Sequence, residues 1–229
     1  MNDKIIGILG GMGPEATANL FIKIIKTTKV KADQDHYRVI IDSNVKIPDR
    51  TQFILGLGES PVKSMVETGK ILEKSGVDVG CIPCITAHYF IEEVQKELSF
   101  PLLNALEELN EYIKINYPIV KKIGILATTG TINTGLFEKY LSNLEIVYPE
   151  TITQENKVME AIYGKEGIKS GNTGEYPLNL LKDASNELIR NGAEILVSGC
   201  TEIALVLNNR HVKKPILDPM DILAKSIVK

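Results

Sequence analysis

Short apolar runs alternate with amphipathic stretches along nearly the whole chain. Residues 4–9 form the first run and predict a buried strand. Gly10-Gly11-Met12-Gly13-Pro14 follows as a tight loop, and Pro14 suits the first position of a helix. Ala16, Leu20, Phe21, Ile24 and Ile25 then recur at helical spacing. Residues 37–41 predict a second strand that ends at Asp42-Ser43-Asn44, and the turn-rich Ile47-Pro48-Asp49-Arg50-Thr51 predicts a loop. Ser60-Pro61 caps and starts a helix closing near Lys74-Ser75-Gly76. Residues 77–82 are apolar and β-branched, which predicts a third strand. After Cys84, Thr86-Ala87-His88 opens a helical pattern running through Glu92, Glu93, Lys96 and Leu98. A brief strand at 101–103 and a helix at 105–117 complete this half, and Pro118 ends it.

The pattern then restarts. Ile123-Gly124-Ile125-Leu126 echoes Ile6-Gly7-Ile8-Leu9, with Ala127-Thr128-Thr129-Gly130-Thr131 in place of the glycine loop. Leu136, Phe137, Tyr140 and Leu141 predict a helix, and residues 144–147 a strand. Thr151-x-x-Gln154 has the spacing of a capping box for a helix reaching Tyr163. A glycine-rich loop at 164–175 carries Lys165 and Lys169. A helix at 176–191 stops at Gly192, and a strand at 194–198 leads into Gly199-Cys200-Thr201-Glu202 and a short helix. A strand at 215–217 and a helix at 218–228 finish the chain. Such alternation predicts an α/β fold with mainly parallel sheets. Gly7 and Cys84 are 77 residues apart, and Gly124 and Cys200 are 76 apart, so the simplest reading is an internal duplication. It gives two similar α/β domains: 1–110 plus 213–229, carrying Cys84, and 111–212, carrying Cys200. Facing each other by pseudo-twofold symmetry, they would present the two cysteines across one cleft.

Composition narrows the partners. The 229 residues are 44% hydrophobic and 24% charged, as in ordinary soluble globular proteins. Lys+Arg 26 against Asp+Glu 29 gives a net charge of −3, which argues against nucleic acid or an anionic membrane as partner. No stretch approaches the ~20 apolar residues of a membrane helix. Met1-Asn2-Asp3-Lys4 has neither the basic region nor the cleavage site of a signal peptide. Three cysteines are too few for a disulfide framework, and a reduced, cytoplasmic protein is expected.

A cysteine at the carboxyl end of a parallel strand sits where open α/β sheets place ligands, and a following helix N-terminus lowers a thiol's pKa. Alone, a cysteine in an apolar strand is core filler. Two cysteines on opposite sides of a ligand suit another task. One thiolate removes a proton from carbon and the opposite thiol returns one to the other face, which inverts a stereocentre without a cofactor. The pair would give a bell-shaped pH profile. Cys81 belongs to the strand core, no second cysteine pair completes a zinc site, and His36, His88 and His211 lack metal-ligand spacing. His88 is placed to orient the Cys84 loop by hydrogen bonding. Gly11-Met12-Gly13 also resembles a dinucleotide fingerprint with Ala16 in the third glycine's place. The acidic residue expected about 20 residues on is matched only by Asp42, 29 beyond Gly13. An NAD(P)-dependent oxidoreductase is therefore a competing reading.

Ile-Leu-Gly-Gly-Met-Gly-Pro, Asp-Gln-Asp-His, Ile-Pro-Asp-Arg-Thr, Pro-Cys-Ile-Thr-Ala-His, Leu-Ala-Thr-Thr-Gly-Thr, Gly-Cys-Thr-Glu-Ile and Asp-Pro-Met-Asp occur in that order over nearly the whole chain. As a set they resemble the cofactor-independent aspartate/glutamate racemase family. The resemblance implies two α/β domains with the site between them, a homodimer, no cofactor or metal, and racemisation of an acidic amino acid, aspartate or glutamate. It makes Cys84 and Cys200 the acid/base pair, with Cys200 serving the L-enantiomer and Cys84 the D-enantiomer. Arg50 is the candidate for gripping the side-chain carboxylate, assisted by Gln52. Lys169 is placed to hold Cys200 as thiolate or to pair with substrate. Thr86, Thr128, Thr129 and Thr201 offer donors to the α-carboxylate, a role compatible with helix capping. Met12 and Ile85 complete the substrate-binding set. At Cys84-Ile85-Thr86 the chain departs from the family's usual Cys-Asn-Thr, because Ile85 has no amide to donate. A hydantoin racemase-like, maleate isomerase-like or arylmalonate-directed enzyme, and a non-catalytic binder of acidic amino acids, are therefore alternatives.

Overall fold

A computed structural model describes residues 4–229, so the leader reading of Met1, Asn2 and Asp3 lies outside the described residues. The chain divides into two compact units, residues up to Leu109 with Met220–Lys229, and Asn110–Pro219. In the first, β1 (Ile5–Gly10) is flanked by β2 (Arg38–Ser43) and β3 (Val79–Cys81) in an all-parallel sheet of order β2-β1-β3. The central strand is almost wholly buried, as a parallel strand covered on both faces must be. Helix α1 (Pro14–Thr27) starts at Pro14 and buries Ala16, Thr17, Leu20 and Ile24. Ile25, at the edge of the predicted stripe, is exposed.

Four local expectations for this unit change. Arg50 and Thr51 belong to a short helix, α2 (Arg50–Ile54), because Asp49 caps it by accepting from the Gln52 N–H at 2.9 Å. Helix α3 (Val62–Lys74) begins one residue past Pro61, while the Ser60 hydroxyl accepts from Val62 N–H at 3.4 Å. The stretch after Cys84 is not one helix but a 3₁₀ segment, Thr86–Phe90, followed by α4 (Ile91–Gln95). Phe90, at φ −102° and ψ 1°, breaks the helical course between them. The expected strand at 101–103 reduces to a single bridge, in which Gly80 N–H donates to Pro101 O and Leu103 N–H to Gly80 O. The division between units falls inside α5 (Ala105–Asn116).

The second unit is built on β4 (Lys122–Leu126), β5 (Glu145–Val147), β6 (Ile195–Ser198) and β7 (Ile216–Leu217), parallel and ordered β5-β4-β6-β7. Between β4 and β5 lie α6 (Thr129–Asn133) and α7 (Leu136–Tyr140). The helix after β5 runs as α8 (Thr151–Thr153), a π segment Gln154–Met159, and α9 (Glu160–Tyr163). The capping box does not form there. Glu150 holds the cap position without a side-chain bond, and the Gln154 side chain turns inward instead. Helix α10 (Glu175–Arg190) buries Pro177, Leu181, Ala184, Ser185 and Leu188, and α11 (Ile203–Val206) follows β6. Because Ile216 and Leu217 pair with Leu196 and Val197, the chain returns to the first unit at Met220 and not at residue 213. There α12 (Pro219–Ile227) is fastened by the Lys23–Asp221 ion pair and, just past it, by the Tyr37 hydroxyl donating to Val228 O at 2.8 Å.

The two sheets share one register. Gly7 lies opposite Gly80, and Gly124 opposite Leu196. Cys84 and Cys200 each fall four residues past those partners. The one-residue difference in spacing is therefore absorbed between the first and third strands of each unit.

Candidate active site

Cys84 is a free thiol, 7% exposed, packed in a cluster that includes Met12, Ile47 and Phe90. Its carbonyl accepts from Ala87 N–H at 3.2 Å and faces His88 Nδ1 at 2.9 Å. His88 Nε2 in turn accepts from Ala105 N–H at 3.1 Å. These partners assign the tautomer, since Nδ1 must carry the proton to donate and Nε2 must be bare to accept. Burial lowers the His88 pKa to about 4, so the ring is neutral at neutral pH. His88 orients the loop, as expected, by tying the Cys84 main chain to the start of α5. The helix behind Cys84 opens as a five-residue 3₁₀ segment, which removes the basis for a helix N-terminus acting on the thiol. Cys81 is fully buried, its thiol reaches Gly7 O at 3.5 Å, and burial pushes it up to about 12. It is core.

Arg50 is buried and not an exposed loop residue. Its guanidinium donates to Ile47 O at 3.2 Å, Pro48 O at 2.9 Å and Met12 O at 3.4 Å. It clamps the glycine loop to the turn after β2, so these donors are engaged with main chain and not held out for a carboxylate. Gly11 in that loop has φ +92°, and a Cβ there would meet the Asn44 carbonyl carbon at 2.3 Å. Only glycine fits. Met12 and Thr86 are buried nearby in the chain's course, whereas Gln52 is exposed. Ile85 is buried, and its carbonyl accepts from His88 N–H at 2.9 Å.

Cys200, 6% exposed, lies in the core of its own unit with Leu126, Ile168 and Ile203. Its sulfur donates to Glu202 Oε2 at 3.0 Å, and the Thr201 hydroxyl donates to the same oxygen at 3.1 Å. Lys169 Nζ donates to Glu202 Oε1 at 2.7 Å and lies 5.3 Å from the centre of the Tyr163 ring. Burial raises the Cys200 pKa well above the ordinary thiol value, and the Glu202 carboxylate adds to this against the pull of Lys169. Burial opposes ionisation of Glu202, but Lys169 and its hydrogen bonds outweigh that and lower its pKa. Burial likewise opposes the charge on Lys169, yet Glu202 and then Cys200 raise its pKa overall. Lys169 does pull Cys200 towards the thiolate, as expected, but its ammonium pairs directly with Glu202, and burial together with that carboxylate outweighs the pull and favours the thiol.

The threonines are also engaged. Thr128 caps α6, its Oγ1 accepting from Thr131 N–H at 3.2 Å. The Thr129 hydroxyl donates to Glu155 Oε1 at 2.9 Å, and its N–H reaches Met159 Sδ at 3.3 Å. Gln154 Nε2 donates to Ala127 O at 2.9 Å and to Thr129 Oγ1 at 3.3 Å, while its buried Oε1 has no partner among the described residues. Gln154, Glu155 and Met159 all come from the π segment, a distortion that recurs at functional sites. Sequence reasoning missed these three and Glu202. For Glu202 a signal existed, an acid two residues past a strand-end cysteine. Among the described residues no group of three or more His, Cys, Asp or Glu could hold a metal ion, and no helix is long and apolar enough to cross a membrane.

The sequence pattern of the family described as Asp/Glu/Hydantoin racemase matches residues 9–227. The chain belongs to that family. The broad specificity amino-acid racemase RacX of Bacillus subtilis (strain 168) is 32% identical over 98% of this chain and 96% of its own. The aspartate racemase of Picrophilus torridus superposes with a TM-score of 0.83 at 27% identity, covering 98% of this chain and 93% of that one. A glutamate racemase from Francisella tularensis, in complex with D-glutamate, shares the fold at a TM-score of 0.69 and 15% identity, over 99% and 80% of the two chains. The paired parallel sheets are thus the architecture of an isomerase family. With membership shown, the dinucleotide reading of Gly11 and Gly13 falls away, and Gly11 has its own reason in Asn44.

Proposed function

We propose that this chain racemises amino acids without a cofactor, with Cys84 and Cys200 as the acid/base pair acting on Cα. The observation that carries this reading is the matched register, which sets a free cysteine at the same offset past the strands of two repeated sheets. In the cycle one sulfur takes the Cα proton as thiolate while the other delivers its S–H proton to the opposite face. Glu202 keeps Cys200 a thiol at rest, so in the direction that starts from this state Cys200 is the proton donor. By the family's assignment that direction consumes the D-enantiomer. Three free cysteines suit a reducing cytoplasm, and a homodimer completes the reading.

Aspartate and glutamate are the substrates to try first, as the Picrophilus torridus and Francisella tularensis enzymes are named for them. A second reading, uncharged amino acids, is favoured by one specific arrangement. Arg50 is engaged with three carbonyls, Lys169 with Glu202, and Ile85 is apolar, so the candidate carboxylate-binding groups are already in use. The similarity to a broad specificity racemase supports it.

Proton NMR in D₂O decides, with L-aspartate, D-aspartate, L-glutamate and L-alanine offered separately. Loss of the Cα–H signal with appearance of the enantiomer establishes the reaction and ranks the substrates. Cys84→Ser and Cys200→Ser should each slow exchange at least ~1,000-fold with an unchanged melting temperature. Full turnover in either variant would refute the two-thiol scheme. No exchange from any substrate would point to a non-catalytic binder or to a related enzyme with another substrate.

A further inference from the structure

Lys169, Glu202 and Cys200 form a chain of contacts that the two-thiol cycle does not by itself require. The Lys169 ammonium rests on one oxygen of Glu202 and the Cys200 thiol on the other. Glu202 is only 7% exposed, so a lone carboxylate there would be costly, and the Lys169 side chain, 26% exposed, supplies the matching positive charge. One ammonium therefore calls for one negative charge, and two acids are in place to supply it. With Glu202 ionised, Cys200 keeps its proton. If that proton crosses the 3.0 Å hydrogen bond, the S–H bond breaks, an O–H bond forms on Glu202, and the net charge is unchanged.

We propose that Glu202 is the positioning residue that switches Cys200 between acid and base, the two sharing the single negative charge that Lys169 demands. The proposal rests on the two-thiol reading. As acid, Cys200 gives its S–H proton to Cα beside an ionised Glu202. As base, it first passes that proton to Glu202 and then takes the Cα proton as a thiolate, while the Cys84 thiol delivers its own to the opposite face. The titratable and charged groups facing this unit are Lys169 from the turn Ile168–Ser170, Tyr163 at the end of α9 (its ring beside the Lys169 ammonium), and Cys200 and Glu202 from the turn after β6. Burial and the carboxylate both act to keep the Cys200 thiol protonated at rest.

The test reads thiolate absorbance in the ultraviolet against pH, using the full chain with Cys81→Ala and Cys84→Ser so that Cys200 reports alone. It needs no turnover, so failure of the racemase reading would not mask it. Glu202→Gln removes the competing acid and leaves Lys169 to be matched by the thiolate. The half-titration point of Cys200 should then fall by at least about one pH unit, a tenfold change in its ionisation. Glu202→Asp should restore the parent value, which a merely structural role for the side chain would not predict. Lys169→Met should move the point upward. An unchanged or raised point in the Glu202→Gln protein overturns the proposal. Should that protein fail to fold, a thiolate appearing at lower pH in the Lys169→Met protein overturns it equally.

Discussion

Cys84 and Cys200 stand at the same register position in two repeated sheets, yet their surroundings differ in kind. Cys84 is held through its main chain, its carbonyl bonded to a neutral imidazole. Cys200 is held through its sulfur, bonded to a carboxylate that an ammonium keeps ionised. The loops after the first strands show the same contrast. In each unit a side chain from the element following the second strand reaches back to that loop: Arg50 to Met12 O, and Gln154 to Ala127 O. The first clamp is a guanidinium serving three carbonyls, and the second is a neutral amide serving one. Repetition has preserved geometry and varied charge. That is what two residues of one type need if they are to hold different proton states.

The clamps offer the sharpest way to break this comparison. Arg50→Met strips donors from three main-chain carbonyls and should lower stability by about 3 kcal/mol in urea unfolding. A neutral result would mean that the clamp is incidental. Acidification acts on the first unit by a comparable amount. His88 titrates at about 4 in the folded chain against an ordinary value of 6.5. Between those values the unfolded chain binds the extra proton, so stability is fully present above pH 6.5 and is lost as pH falls towards 4, by roughly 3 kcal/mol. His88→Asn should remove that pH dependence, and its persistence would exclude His88 as the cause. Gln154→Met should alter stability by no more than about 1 kcal/mol, since losing the bond to Ala127 O is offset by removing a buried orphan acceptor. A loss as large as that of Arg50→Met would make the two clamps equivalent after all. Smallest of all, breaking the Lys122–Glu145 pair on the second sheet with Lys122→Met should shift stability by less than ~1 kcal/mol.

Much of the scaffold was legible in the chain because its signals are local. Apolar runs ended by glycine located β1 and β6, the repeated Ile-Gly-Ile-Leu located β4, and Pro14 marked the start of α1 within the residue. The repeated Ile-Gly-Ile-Leu and the near-equal spacing to each cysteine anticipated the duplicated sheets. The stretch after Cys84 misled because its polar and apolar spacing does not separate a 3₁₀ turn from an α-helix. Roles that depend on a distant partner were not legible. Lys169 meets Glu202 across 33 residues, Arg50 meets Met12 across 38, and Gln154 meets Ala127 across 27. Thr151 and Gln154 have the spacing of a capping box, but nothing local reveals that a strand-end carbonyl competes for the amide.

The common four-residue offset also works as a ruler for how such a chain can drift. Substitutions on the helices leave the offset alone, and insertions between the first and third strands are absorbed, as the one-residue difference between the halves already shows. An insertion between a ladder residue and its cysteine has nowhere to go, because the strand is pinned on one side and, under the two-thiol proposal, the sulfur must keep its place on the other. Within this lineage, length variation should therefore concentrate in the helical crossovers and vanish from the few residues that join each third strand to its sulfur.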